Sequence, residues 1–150
     1  MEKRKMKQPE FSELYKRLCM TSEIRNEFGS PILKGNYCIY EDRPDRIFRV
    51  EGYPGPSVEI DVDGYLIKEN PSKLVWLPTT QDIRDHFFIK GGSGYWHGFN
   101  NFRKGINPYG YTRAELSQFF AEEEKWLLYC MIVKREKKFT GDNWIPFKYQ

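Results

Sequence analysis

The sequence predicts an α+β fold in which an antiparallel sheet of about four to five strands packs against two long helices and one short helix. Three observations carry that expectation. Short β-type runs separated by turn residues occupy positions 36–77, segments of helical periodicity lie on both sides of them, and Trp126 to Val133 form eight successive apolar residues that no solvent-facing helix can hide.

Taken in chain order, residues 1–8 read as a basic, flexible tail and 9–150 as one domain. Phe11, Leu14, Tyr15 and Leu18 recur at helical spacing and Ile24 and Phe28 extend the pattern, so helical structure is expected from Pro9 to Phe28, ended by Gly29-Ser30-Pro31. Strands are expected at 36–40, 46–50, 58–62, 65–68 and 73–77. Arg43-Pro44-Asp45, Gly52 to Pro56, Asp63-Gly64 and Asn70-Pro71 separate them, a punctuation that suits an antiparallel meander. Asp63-Gly64 has the composition of a two-residue hairpin turn.

Thr79 or Thr80 with Asp82 opens a short helix that runs through Phe88. Residues 89–111 read as a long loop. Thr112-Arg113-Ala114-Glu115 has capping-box spacing, which predicts a long central helix from there to Lys137. Gly141 to Pro146 reads as a turn and an extended tail anchored by Trp144.

Hydrophobic residues make up 39% of the 150 and aromatics 17%, a load that disordered chains do not carry. The formal charge of +3 is supplied by Lys3, Arg4, Lys5 and Lys7 against Glu2, which leaves the remainder neutral. That balance argues against a duplex-binding surface built on phosphate neutralisation. No apolar run reaches the roughly 18 residues of a membrane helix. The opening Met1 to Lys5 has no apolar stretch behind it, so no membrane association is expected and the expected compartment is the cytoplasm, which the resemblance described below implies to be that of a bacterial host cell. Cys19, Cys38 and Cys130 lie among apolar neighbours without C-x-x-C spacing and read as buried free thiols.

No catalytic or metal-binding constellation emerges, and no cofactor is expected. His86 lies beside Phe87 and Phe88 and reads as structural or surface. His97 stands in Gly94-Tyr95-Trp96-His97-Gly98 with no Cys or Asp at an informative distance. Asp61-Val62-Asp63-Gly64 starts like a calcium loop, but its fifth and twelfth positions are Tyr65 and Ser72, so the hairpin explains it better. Glu122-Glu123-Glu124 reads as a solvated helix face.

One segment stands out. Between His86 and Ala114 there is no Asp or Glu, while Lys90, Arg103, Lys104 and Arg113 supply positive charge. Tyr95, Trp96, Phe99, Phe102, Tyr109 and Tyr111 supply aromatic faces. Lys90, Tyr95, Trp96, His97, Phe99, Arg103, Lys104, Tyr109 and Tyr111 are therefore the candidate binding residues. Trp, Tyr and Arg dominate protein–protein hot spots, and aromatics beside cations also hold single-stranded nucleic acid. A third role for the same aromatics is to fold back and complete the core.

Two stretches carry a resemblance: Leu74-Val75-Trp76-Leu77-Pro78-Thr79-Thr80-Gln81-Asp82-Ile83, and Glu124-Lys125-Trp126-Leu127-Leu128-Tyr129-Cys130-Met131 followed by Lys134, Lys137, Gly141-Asp142 and Trp144. They resemble a group of small uncharacterised proteins of bacteriophages and other mobile elements of gut bacteria, with a Trp-Leu-Pro segment before a helix and a close of the type LWLAFVMKEKY, W-x-G-E-x-W. The resemblance covers about a quarter of the chain and departs at Phe139, where that group usually has Trp, and over residues 86–111. It implies a phage-like genetic setting and brings no catalytic residues. The expected function is thus a non-catalytic accessory protein that binds a host protein, with inhibition of a bacterial defence system in the anti-CRISPR manner as one form of that binding. The alternatives are a single-stranded nucleic-acid binder that uses residues 90–111, and an enzyme in which His97 meets acidic residues from elsewhere in the fold.

Overall fold

A computed structural model describes residues 10–29, 31, 33–53, 55–88, 94–106 and 110–148. The expected basic tail at 1–8 lies outside the described residues. The α+β expectation is met, with a five-stranded antiparallel sheet, a two-stranded sheet and six helices among the described residues. The chain divides between Leu77 and Pro78 into two compact units.

In the first unit, helical structure comes as two helices, α1 (Glu13–Met20) and α2 (Ser22–Phe28). The division falls at Thr21. Its backbone is extended and its hydroxyl donates to the Leu18 carbonyl at 2.6 Å, closing α1. That hydroxyl does not cap α2. Ser12 caps α1 by accepting from the Tyr15 N–H at 3.0 Å, and Gly29 ends α2 with φ of 73°, as its sequence position predicts.

The sheet consists of β1 (Tyr37–Tyr40), β2 (Arg43–Gly52), β3 (Val58–Val62), β4 (Tyr65–Glu69) and β5 (Leu74–Leu77), in spatial order β4-β3-β2-β1-β5. Arg43-Pro44-Asp45 is not the turn expected of it. The turn is Glu41-Asp42, and β2 runs on through Pro44. β3 pairs with β2 at Val50 and Gly52, so Pro44 lies where no ladder bond from β3 needs its missing N–H. Both ladders of β2 carry a register shift, which bends the strand.

Although β4 and β5 stand at opposite ends of the strand order, a single 3₁₀ turn (Pro71–Lys73) connects them. The sheet must therefore curl until its two outer strands approach at that end. Tyr40 at the end of β1 donates its hydroxyl to Glu69 at the end of β4, at 2.9 Å, and secures the curl. Arg25 of α2 braces the same corner, with one nitrogen on the Ser72 carbonyl and another 3.2 Å from Glu41. Cys38, Tyr40, Phe48, Val50, Val58, Ile60 and Leu74 fill the concave face as one apolar cluster.

In the second unit the Trp-Leu-Pro junction leads into α3 (Thr80–Phe87), opened by a full capping box between Thr79 and Asp82. The expected long loop is not one. α4 (Gly94–Arg103) occupies its middle, while residues 89–93 and 107–109 lie outside the described residues. The expected single helix from Thr112 to Lys137 is also corrected. The Thr112–Glu115 capping box opens only the short α5 (Arg113–Leu116), and α6 (Glu122–Arg135) begins afresh after Ala121.

Glu122-Glu123-Glu124 therefore forms a first turn, where carboxylates face the positive end of the helix dipole. Glu124 is buried, against the expectation of a solvated face. α6 ends at Glu136 in the left-handed conformation. The tail then folds as a hairpin of β6 (Lys137–Phe139) and β7 (Trp144–Pro146), so Trp144 anchors a strand paired with one that the sequence pattern did not reveal.

All three cysteines are buried free thiols. Burial pushes the Cys38 thiol up to about 12 and raises that of Cys130 further. Thiol reagents at pH 7.5 should leave the folded chain unmodified and label all three cysteines once denaturant unfolds it, as intact mass would show.

Candidate functional site

The site is built around Trp126 on α6. Its indole is buried, and Phe99 of α4 stacks on it with ring centroids 3.7 Å apart and planes 10° from parallel. Tyr129, one turn further along α6, meets Phe99 edge-on at 5.8 Å and Phe102 at 5.5 Å. Phe102 in turn meets Tyr111 edge-on at 5.8 Å. The Tyr111 hydroxyl accepts the Phe139 N–H at 2.7 Å, which ties the approach to α5 onto the β6–β7 hairpin. Its phenol is held above the usual range, chiefly by burial.

Local propensity does not explain α4, whose sequence GYWHGFNNFR holds two glycines and two asparagines. Packing of Phe99 and Phe102 against α6 outweighs it. The sequence did carry a signal, since positions 95, 99 and 102 are aromatic at helical spacing. Pairs of glycines and asparagines masked it.

Of the candidate residues, Phe99 and Tyr111 are buried and belong to this stack. Lys90 and Tyr109 lie outside the described residues, as does the side chain of Tyr95. Trp96, His97, Arg103 and Lys104 are exposed along α4. Trp96 keeps 42% of its surface open while its ring stands edge-on to Trp126 at 5.1 Å and 88°.

Arg84 of α3, which sequence reasoning missed, places its guanidinium 5.0 Å from the Trp96 ring centre and 5.2 Å from that of Trp126. Cation–π contact on one side and Trp126 on another thereby orient the indole. Arg103 lies over the Phe99 ring and 3.5 Å from Glu122, so part of its charge is answered within the unit. Lys104 meets no carboxylate among the described residues.

His97 pairs with the amide of Asn101 at 3.3 Å, one turn along the same exposed stripe. An amide can orient an imidazole but carries no formal charge to polarise it as a carboxylate would. Among the described residues no three His, Cys, Asp or Glu side chains converge as metal ligands, and no helix is long and apolar enough to cross a membrane.

Scans of the chain against protein-family models, against curated proteins and against solved structures return no match.

The division between packing and exposed residues is measurable. Phe99→Ala should cost about 3–5 kcal/mol in chemical denaturation, whereas Trp96→Ala should cost much less because its surface is already half open. Below the site, the Thr112 N–H and then Lys138, each 2.9 Å from its carboxylate, hold Glu115 under the usual range. A carboxyl whose folded pKa is lowered adds stability above its ordinary value of 4.5 and loses it as pH falls through the folded value. Unfolding curves should therefore show Glu115→Gln less stable than wild type at pH 7, with the difference shrinking as pH falls below the ordinary value of 4.5.

Proposed function

We propose that this chain is a non-catalytic binding protein that engages a protein partner through the exposed face of α4, with Trp96 as its anchor. The observation that carries the reading is a half-exposed indole, fixed from below by Trp126 and from the side by Arg84. Interface hot spots are enriched in Trp and Arg, and a side chain already held in its bound orientation loses little entropy on docking. His97, Asn101, Arg103 and Lys104 supply a polar and cationic margin around it, on a helix without an acidic residue. An acidic margin on the partner complements this face.

The resemblance of the Trp-Leu-Pro and Trp126 segments to phage and mobile-element proteins supports a bacterial host protein as the target and inhibition of a defence system as the outcome. Single-stranded nucleic acid is the second reading, favoured by the same acid-free helix. It is the weaker of the two. Phe99, Phe102 and Tyr111, which would have offered stacking faces, are committed to the interior, and a strand needs successive platforms along its track.

Affinity capture from bacterial lysates, with and without nuclease, separates the readings. Wild type should retain the same protein from both lysates, and Trp96→Ala should weaken that retention about tenfold or more while leaving the unfolding midpoint nearly unchanged. Retention abolished by nuclease and weakened by added salt would transfer the assignment to nucleic acid.

A further inference from the structure

The α4 surface leaves unexplained the edge of the five-stranded sheet. Among the described residues β4 pairs with β3 alone, and its apolar residues stand open to solvent: Tyr65 at 75%, Leu66 at 61% and Ile67 at 38% exposure. Natural edge strands are commonly blunted by bulges or prolines. β4 has neither, its edge carrying only the charges of Lys68 and Glu69, and its ladder with β3 runs in unbroken register from Val62↔Tyr65 to Val58↔Glu69, unlike both ladders of β2.

The hairpin fixes which backbone groups are free. Asp63 and Gly64 both have positive φ, 54° and 89°, so the turn is of the two-residue primed type. Val62 and Tyr65 then exchange ladder bonds, as do Ile60 with Ile67 and Val58 with Glu69. The N–H and C=O groups of Leu66 and Lys68 point away from β3, toward the open edge.

We propose that β4 pairs antiparallel with β4 of a second copy of this chain, joining two five-stranded sheets across a two-fold axis at Ile67. The strand is self-complementary in this register. Leu66 of each copy exchanges both backbone hydrogen bonds with Lys68 of the other, and Ile67 faces Ile67 in a close, non-hydrogen-bonded pair. Tyr65 faces Glu69, whose carboxylate already accepts from Tyr40 through one oxygen. Its second oxygen is available to the incoming phenol.

On the concave face, Ile60 is opposite Ile67, so pairing makes a continuous isoleucine row from one β3 to the other. On the opposite face, Lys68 lies across from Glu59, and Leu66 across from Asp61. Each Lys68 would therefore sit between its own Glu59 and, two strands away, Asp61 of the second copy, with no like charges directly opposed. A closed two-fold interface of this kind uses one patch twice and occupies the β4 edge of both copies. The dimer does not depend on the α4 reading.

Sedimentation of the purified chain should show a concentration-dependent monomer–dimer equilibrium. Leu66→Pro removes an edge donor without touching the β3 ladder and should shift the chain to monomer with an unchanged circular dichroism spectrum. Ile67→Cys brings two thiols opposite one another at a Cα separation of about 4.5 Å and should form a disulfide-linked dimer under mild oxidant. Leu66→Cys leaves its counterpart about 8 Å away and should not. A wild-type chain that stays monomeric at millimolar concentration, a Leu66→Pro chain that remains dimeric, or equal crosslinking by the two cysteine variants would overturn the proposal.

Discussion

From Trp126 to Ile132 every residue of α6 is buried, which leaves that stretch of helix no face to give to water. A helix in that position must be covered on all sides, and α3, α4 and β6 each pack against it. Each fully buried side chain contributes about 1.5–3 kcal/mol relative to exposure, so the run can hold in place elements that would not persist alone. α4 is the clearest dependant. Its glycines and asparagines oppose helix formation, yet Phe99 stacked on Trp126 and Phe102 against Tyr129 hold it. The exposed row from Trp96 to Lys104 is thus a by-product of an interior stack. Phe99 stacks on the Trp126 ring and Trp96 stands perpendicular to it, so the buried stack and the half-exposed indole share one ring.

A different constraint organises the first unit. The short link from β4 to β5 requires two outer strands to approach at one end, and the strand between them must bend for this to happen. The bending is concentrated in β2, where both irregular registers fall. Because β2 absorbs the distortion, β3 and β4 remain a regular hairpin. Curl closes the corner where Tyr40 meets Glu69, and on its outer side the rest of β4 pairs with no other strand among the described residues. An open, regular edge is the consequence of where the sheet is allowed to bend.

Several features were legible in the sequence because they depend on local physics. The Asp63-Gly64 hairpin follows from backbone angles that few other residue pairs accept, and β3 falls on its predicted limits. The expected starts, a cap at Thr79 or Thr80 and a capping box at Thr112, both open helices, with Thr79 taking the first role. The buried state of the three cysteines follows from apolar neighbours. What misled was the assumption that a start signal implies a long helix. Thr112 to Glu115 caps a single turn, and Glu122 to Glu124 mark the true start of α6, because three carboxylates in a row suit a helix's first turn as well as a solvated face.

By itself the sequence determined the class of fold, the strand-rich first half, the buried character of α6 and the aromatic, acid-free segment before Thr112. These depend on composition and on periodicities of two or 3.6 residues, which a linear pattern records. Only the tertiary structure decided which of those aromatics remain outside. Phe99, Tyr111 and Trp96 are similar in chemistry and near in sequence, but Trp126 admits one of them to its face and leaves another at its edge. It also decided that β4 pairs with β3 alone among the described residues, because strand order depends on how a sheet closes in space, and a pattern of alternating side chains carries no record of that.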